Sequence, residues 1–217
     1  IQSISGNPSL ELALPSGALA TYSSFVGKKI LFQYTVRPSD NASDLEYFST
    51  QALNLGASSV IDQSGNVLNP ILPALTEEGS LSHSSDVVID NSAPTCSLTS
   101  FPSWTNGSTV NFSFTCEDAL SGLSNLSCRH YDANSSVLSS FSDCTGGTYS
   151  FSASGDSSGF YIEVQSQDLL GNTSNFVSST FGVDQTDPSL TSGSWSTTSP
   201  TASKRPTLVW TPSTDSL

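Results

Sequence analysis

The 217-residue sequence has no methionine, only 6 lysines and arginines, and 2 histidines. So few cations exclude a basic stripe that neutralises phosphates, and nucleic acid is not an expected partner. Against them stand 19 aspartates and glutamates, giving a net charge of −13, which also speaks against an anionic membrane surface. No run is long and apolar enough to span a bilayer, so membrane insertion is not expected. The opening residues show no signal-peptide pattern. With Ile1 first and no methionine, the chain is expected to be a piece processed or cut from a longer protein. Catalytic motifs are missing too: there is no Gly-x-Ser-x-Gly, no His-Glu-x-x-His and no phosphate-binding glycine loop. His83 and His130 offer little for acid–base work. The paired acids Glu77-Glu78 and Glu117-Asp118 read as solvated loops. No catalytic residue and no enzymatic activity are expected.

Two short phrases do recur: Asp90-Asn91-Ser92-Ala93-Pro94 and Asp184-Gln185-Thr186-Asp187-Pro188. Each follows an Asp-x-x-Gly-Asn phrase, at residues 62–66 and 168–172. A repeat of roughly ninety residues marks a string of similar modules. Hydrophobic residues make up 35 % and alternate with polar ones. Ile30, Phe32, Tyr34 and Val36 form one such series, Val110, Phe112 and Phe114 a second, and Phe160, Ile162 and Val164 a third. A period of two puts one set on a core face and the other in water. Turn clusters fall between them, at 38–43, 62–66, 105–108 and 118–122. No stretch has a helical period. The fold class expected is all-β, in tandem antiparallel sandwiches. Proline stops a strand and stiffens a linker. The boundaries therefore fall at residues 1–90, 91–187 and 188–217, the last holding only the opening strands of a truncated third domain.

All four cysteines lie in the second module. Cys96 and Cys116 are symmetric about Asn106, where Thr105-Asn106-Gly107 signals a turn; a hairpin there puts them opposite each other. Cys128 and Cys144 are symmetric about Ser136. Bridges Cys96–Cys116 and Cys128–Cys144 are expected, with four free buried thiols as the alternative. Disulfides place a protein outside the reducing cytosol.

The second module resembles the tandem Ig-like modules of large bacterial cell-surface and secreted, adhesin-like proteins. The resemblance rests on segments 90–94, 110–116, 118–122, 128–144 and 164–172, in that order. The first module resembles a related repeat type through residues 8–12, 32–36, 44–47 and 59–66. Such repeats begin with two further strands. This chain lacks them, so it is expected to start inside its first domain and to leave a sheet edge exposed near Ile1. The resemblance implies an extracellular stalk or spacer and no catalysis.

One sharper expectation concerns calcium, which takes carboxylate and carbonyl oxygens. If loops meet linkers, Asp62, Asp90, Asp168, Asp184 and Asp187 supply such ligands; otherwise these residues only stabilise turns. Six glycosylation sequons, at Asn41, Asn106, Asn111, Asn125, Asn134 and Asn172, matter only in a glycosylating host. Two further functional readings compete with the stalk. In one, exposed aromatics (Trp104, Tyr131, Tyr149) bind a glycan or a host cell-surface protein. In the other, these are accessory modules of a secreted enzyme. The partners expected for a stalk are neighbouring modules of the same chain.

Overall fold

The computed structural model describes residues 1, 3–15, 17–195, 205 and 207–212. The expected third segment, 188–217, falls partly outside them, at 196–204, 206 and 213–217. The described chain is nearly all β, with several antiparallel pairings. No helix among the described residues is long and apolar enough to cross a membrane. Two compact units emerge. The first comprises Ile1–Pro94 with Glu117–Ser124 and Gln167–Thr173; the second comprises Thr95–Cys116, Asn125–Ser166 and Ser174–Leu217. Two loops that the repeat assigns to the second module thus group with the first ninety-four residues.

In the first unit, strands β1 (Ser3–Ser5), β2 (Ser9–Glu11), β3 (Leu19–Val26), β4 (Lys29–Gln33), β5 (Leu53–Asn54) and β6 (Ser59–Ile61) precede a four-residue helix, α1 (Leu81–Ser84). β1 pairs with β6, and the main sheet runs β4-β3-β2-β5. A two-residue loop, Gly27-Lys28, joins β3 to β4, with Val26 opposite Lys29. Gly27 has φ 61°, which this turn demands and a side chain resists. The core is small: Leu12, Leu14, Ala18, Ala20 and Ile89, with Leu10, Phe32, Tyr34, Ala42 and Leu45 packed partly against it. The strand expected through Val36 ends at Gln33; Tyr34 still packs partly against the core, and Val36 is exposed. Beyond it, fully buried Asp40 accepts hydrogen bonds from Tyr34 Oη (2.5 Å) and Arg37 N (2.7 Å) and bends the chain into a turn. Helix α1 has no helical period in the sequence. It is held from outside: the Glu46 carboxylate accepts from Leu81 N, Ser82 N and Ser82 Oγ at its first turn. Burial raises the Glu46 carboxyl, but the Ser82 hydroxyl and amide, Tyr47 N and the Ser80 side chain outweigh it and lower the pKa to about 2.

The remaining strands lie in the second unit, except for the ends of β9, β10, β13 and β14 that belong to the first: β7 (Thr95–Ser100), β8 (Trp104–Thr105), β9 (Thr109–Glu117), β10 (Leu123–Tyr131), β11 (Ser142–Asp143), β12 (Thr148–Ser152), β13 (Ser157–Asp168), β14 (Thr173–Val177), β15 (Phe181–Val183), β16 (Leu190–Trp195) and β17 (Leu208–Pro212). Strands β16 and β17 pair with each other. One sheet runs β12-β9-β7; the other runs β11-β10-β13-β15-β8, with β14 also on β13. Their facing side chains make one cluster: Val110, Phe112, Phe114, Tyr149 and Phe151 from the first, Leu126, Cys128, Phe160, Ile162, Val164, Phe181 and Val183 from the second. This is a sandwich-like core, and the period of two fills it as expected. Phe112, 1 % exposed, sits at its centre against Phe101, Phe151 and Phe181.

Both disulfides are present: Cys96–Cys116, and Cys128–Cys144 with Cα atoms 5.9 Å apart. The connection around Asn106 is not the expected tight hairpin. The chain leaves β7, crosses to the other sheet and pairs β8 parallel to β15 before returning as β9. The physical reason is Trp104, whose ring lies over Gly182. A Cβ at Gly182 would stand 2.3 Å from that ring, so only glycine admits the approach.

Candidate functional site

The recurring Asp-x-x-Gly-Asn phrase folds the same way twice. In residues 62–66, Asp62 Oδ1 accepts Ser64 N and Asn66 N, both at 2.8 Å, and Asn66 Nδ2 donates to Asp62 Oδ2. In residues 168–172, Asp168 Oδ1 accepts Leu170 N (2.9 Å) and Asn172 N (2.8 Å), and Asn172 Nδ2 donates to Asp168 Oδ2. Gly65 and Gly171 take φ 83° and 94° at matching positions. Two related loops carry no such label in the sequence. Asp132 Oδ1 accepts Asn134 N and Ser136 N, with Ser135 at φ 61° where its siblings have glycine. Asp118 Oδ1 accepts Leu120 N, Ser121 N and Gly122 N. Short acidic side chains satisfying their own loop amides are the common device. Donors from Asn66 and Ser64 hold the Asp62 carboxyl below the usual carboxylate range.

The Asp-x-Ser/Thr-x-Pro phrases are tied down by a second repeated device. Asp90 Oδ1 accepts Ser92 N, and Asp184 Oδ1 accepts Thr186 N. In the first unit Asn91 N donates to Asn41 Oδ1 (2.7 Å), and Asn41 Nδ2 donates to Ser92 Oγ (2.9 Å). In the second unit Gln185 N donates to Asp156 Oδ1 (2.5 Å), and Thr186 Oγ1 donates to Asp156 Oδ2. One side chain thus clamps both the amide and the hydroxyl of each phrase. These two donors hold the Asp156 carboxyl below its ordinary range.

At the first phrase three carboxylates of the first unit converge. Asp90, Asp118 and Asp168 each bring an oxygen within 4.8 Å of the others. Asp168 is 1 % exposed and Asp90 7 %. Asp90 Oδ2 accepts Ser121 N (3.1 Å) and Ser121 Oγ (2.6 Å), and Asn172 Nδ2 donates to the Asp90 carbonyl (3.1 Å). Burial raises the Asp168 carboxyl, but donors from Asn172, Leu170 and Gly171 outweigh it and lower the pKa. Like charges this close repel unless hydrogen-bond donors or a cation compensate. Three oxygens in this setting are the donor type that a hard divalent cation takes.

Of the five calcium candidates, the structure brings Asp90 and Asp168 together. Asp62 closes its own turn, and Asp184 and Asp187 lie in the second unit. Asp118 joins the cluster although its sequence reads as a solvated loop. The clue was available: Asp118-x-x-Ser-Gly spaces its acid and glycine nearly as the other two loops do.

Among the proposed contact aromatics, Tyr131 and Tyr149 are buried. Tyr131 Oη donates to Glu163 Oε2 (2.5 Å), where Arg129 also binds. Tyr149 Oη meets His130 Nδ1 at 2.8 Å. Trp104 is half-exposed and borders an open depression of about 300 Å³ with Thr105, Asn106 and Asp184. No protein-family model and no curated protein matches this chain.

Proposed function

We propose that the chain is a run of Ig-like β-sandwich modules acting as a non-catalytic spacer, or stalk, in a larger extracellular, bacterial adhesin-like protein. The observation that carries this reading is the paired clamp. Both recurring phrases, which the sequence places at module ends, are fixed by one side chain that binds an amide and a hydroxyl, the hydroxyl accepting from Asn41 in one and donating to Asp156 in the other. Each phrase is thereby held to its own unit, which leaves less loose chain there than an unclamped linker would. The two disulfides are compatible with an oxidising, extracellular setting. Small-angle scattering tests the proposal: a single stiff, extended conformation supports a stalk, and a profile of freely tumbling modules overturns it.

A calcium ion at Asp90, Asp118 and Asp168 belongs to the same reading, because three carboxylates meet there at the recurring phrase. Added Ca²⁺ is expected to raise the melting temperature and EDTA to reverse it; a curve unmoved by either removes the ion. A second reading, glycan binding, is favoured by Trp104 beside Asn106 and Asp184. A glycan array without signal would discard it.

A further inference from the structure

Strand β4 is the outermost strand of the first unit's main sheet. Among the described residues nothing pairs with its outer side. In a hairpin with a two-residue loop, the pair flanking the loop exchanges both hydrogen bonds, and the pattern then alternates. Val26 and Lys29 flank the loop. Lys29 and Leu31 therefore turn their backbone groups toward β3, while Ile30 and Phe32 turn theirs to the open edge.

The edge has few guards: Lys29 at its end, and a register shift between Tyr22 and Ser24 that lies on β3, not on β4. Its sequence, Lys29-Ile30-Leu31-Phe32-Gln33, has no proline and one charge, at its end. Ile30 and Phe32 are only half-buried, and Leu31 is 42 % exposed. The sequence is also self-complementary when reversed. An antiparallel copy centred on Leu31 sets Ile30 against Phe32, Leu31 against Leu31 and Lys29 against Gln33. The residues with edge-facing N–H and C=O groups meet each other, which is the hydrogen-bonded pair such a ladder needs. No like charges face each other.

We propose that β4 pairs antiparallel with β4 of a second copy of this chain, about a two-fold axis at Leu31. Ile30 and Phe32 of each copy exchange backbone hydrogen bonds, and the two four-stranded sheets become one. The interface is isologous and closed, so it stops at a dimer. A five-residue strand buries less than the roughly 1,000 Å² of a tight complex, so association is weak and rises with concentration.

Sedimentation equilibrium of the whole chain tests this from micromolar to millimolar concentration. The mass is expected to rise from 22.7 kDa toward twice that value. A mass that stays at the monomer overturns the proposal. Leu31→Lys and Leu31→Glu test the register, because each places like charges at the axis. Each alone is expected to remain monomeric with an unchanged circular dichroism spectrum, and an equimolar mixture to recover the dimer. If both variants dimerise alone as the parent does, the interface is elsewhere and the proposal fails.

Discussion

Asn41 and Asp156 occupy equivalent places in the two units: each binds, through its two side-chain polar atoms, the amide and the hydroxyl of a recurring Asp-x-Ser/Thr-x-Pro phrase. One is neutral and the other charged, so the clamps differ in what acid does to them. Asn41→Ala is expected to lower stability by about 1 kcal/mol, as loss of one partly buried and one exposed hydrogen bond does. The Asp156 carboxyl titrates lower in the folded chain than its ordinary value of 3.8. Its contribution is therefore present above pH 3.8 and is lost as pH falls through the folded value. Asp156→Asn keeps the acceptor and removes that dependence. Urea melts of the parent and this variant between pH 2 and 6 check it: the gap between them changes below pH 4 and is constant above. A gap flat throughout contradicts the assignment.

Glu46 sets a second acid-sensitive point. Its folded pKa of about 2 lies below the ordinary 4.5. A lowered carboxyl stabilises fully above the unfolded value and loses that stabilisation as pH drops from 4.5 toward 2. Glu46→Gln is expected to flatten this part of the stability profile and to loosen Leu81–Ser84. Amide exchange at Leu81 and Ser82 reports the loosening, and protection equal to the parent's would argue against the role.

Ser135 is a stability gain left unused. It holds φ 61° in a loop whose siblings place Gly65 and Gly171 at the matching position. Relieving a left-handed conformation outweighs the added chain entropy of glycine. Ser135→Gly is expected to stabilise by about 0.5–1 kcal/mol, read as a raised melting temperature. A lowered one would mean that the loop tolerates the serine without strain.

The disulfides give a direct chemical check. Folded protein without reductant should show no titratable thiol, and paired Cys128→Ser with Cys144→Ser should cost about 3 kcal/mol, as a loop of this size predicts. Four reactive thiols in the folded chain would contradict both bridges.

What the sequence disclosed, and what it hid, follows from distance along the chain. Val110, Phe112 and Phe114 were legible because alternation is local. Both cysteine pairs were legible because their partners lie 20 and 16 residues apart around polar stretches. The detour of Trp104 was not, because it depends on Gly182 in a strand far downstream. Asn41 and Asp156 were invisible as a pair because their phrases follow at different spacings, with no shared motif around them. Asp118 looks like a solvated loop residue in the sequence because its neighbours Asp90 and Asp168 arrive from separate stretches. Of the acids at the recurring phrases, Asp90 and Asp168 meet, with Asp118 as the third, while Asp62, Asp184 and Asp187 do not join them.

The disulfides also decide how much chain a pull can draw out. Tension entering before Cys96 and leaving after Cys144 crosses each bridge through sulfur and bypasses the loop it closes. The two loops span separations of 20 and 16 residues. At ~3.4 Å per extended residue, roughly 120 Å of contour stays out of the load path. The Phe112 strand lies inside the first loop, so the centre of the core sits on chain that force does not unravel until the sulfurs are reduced.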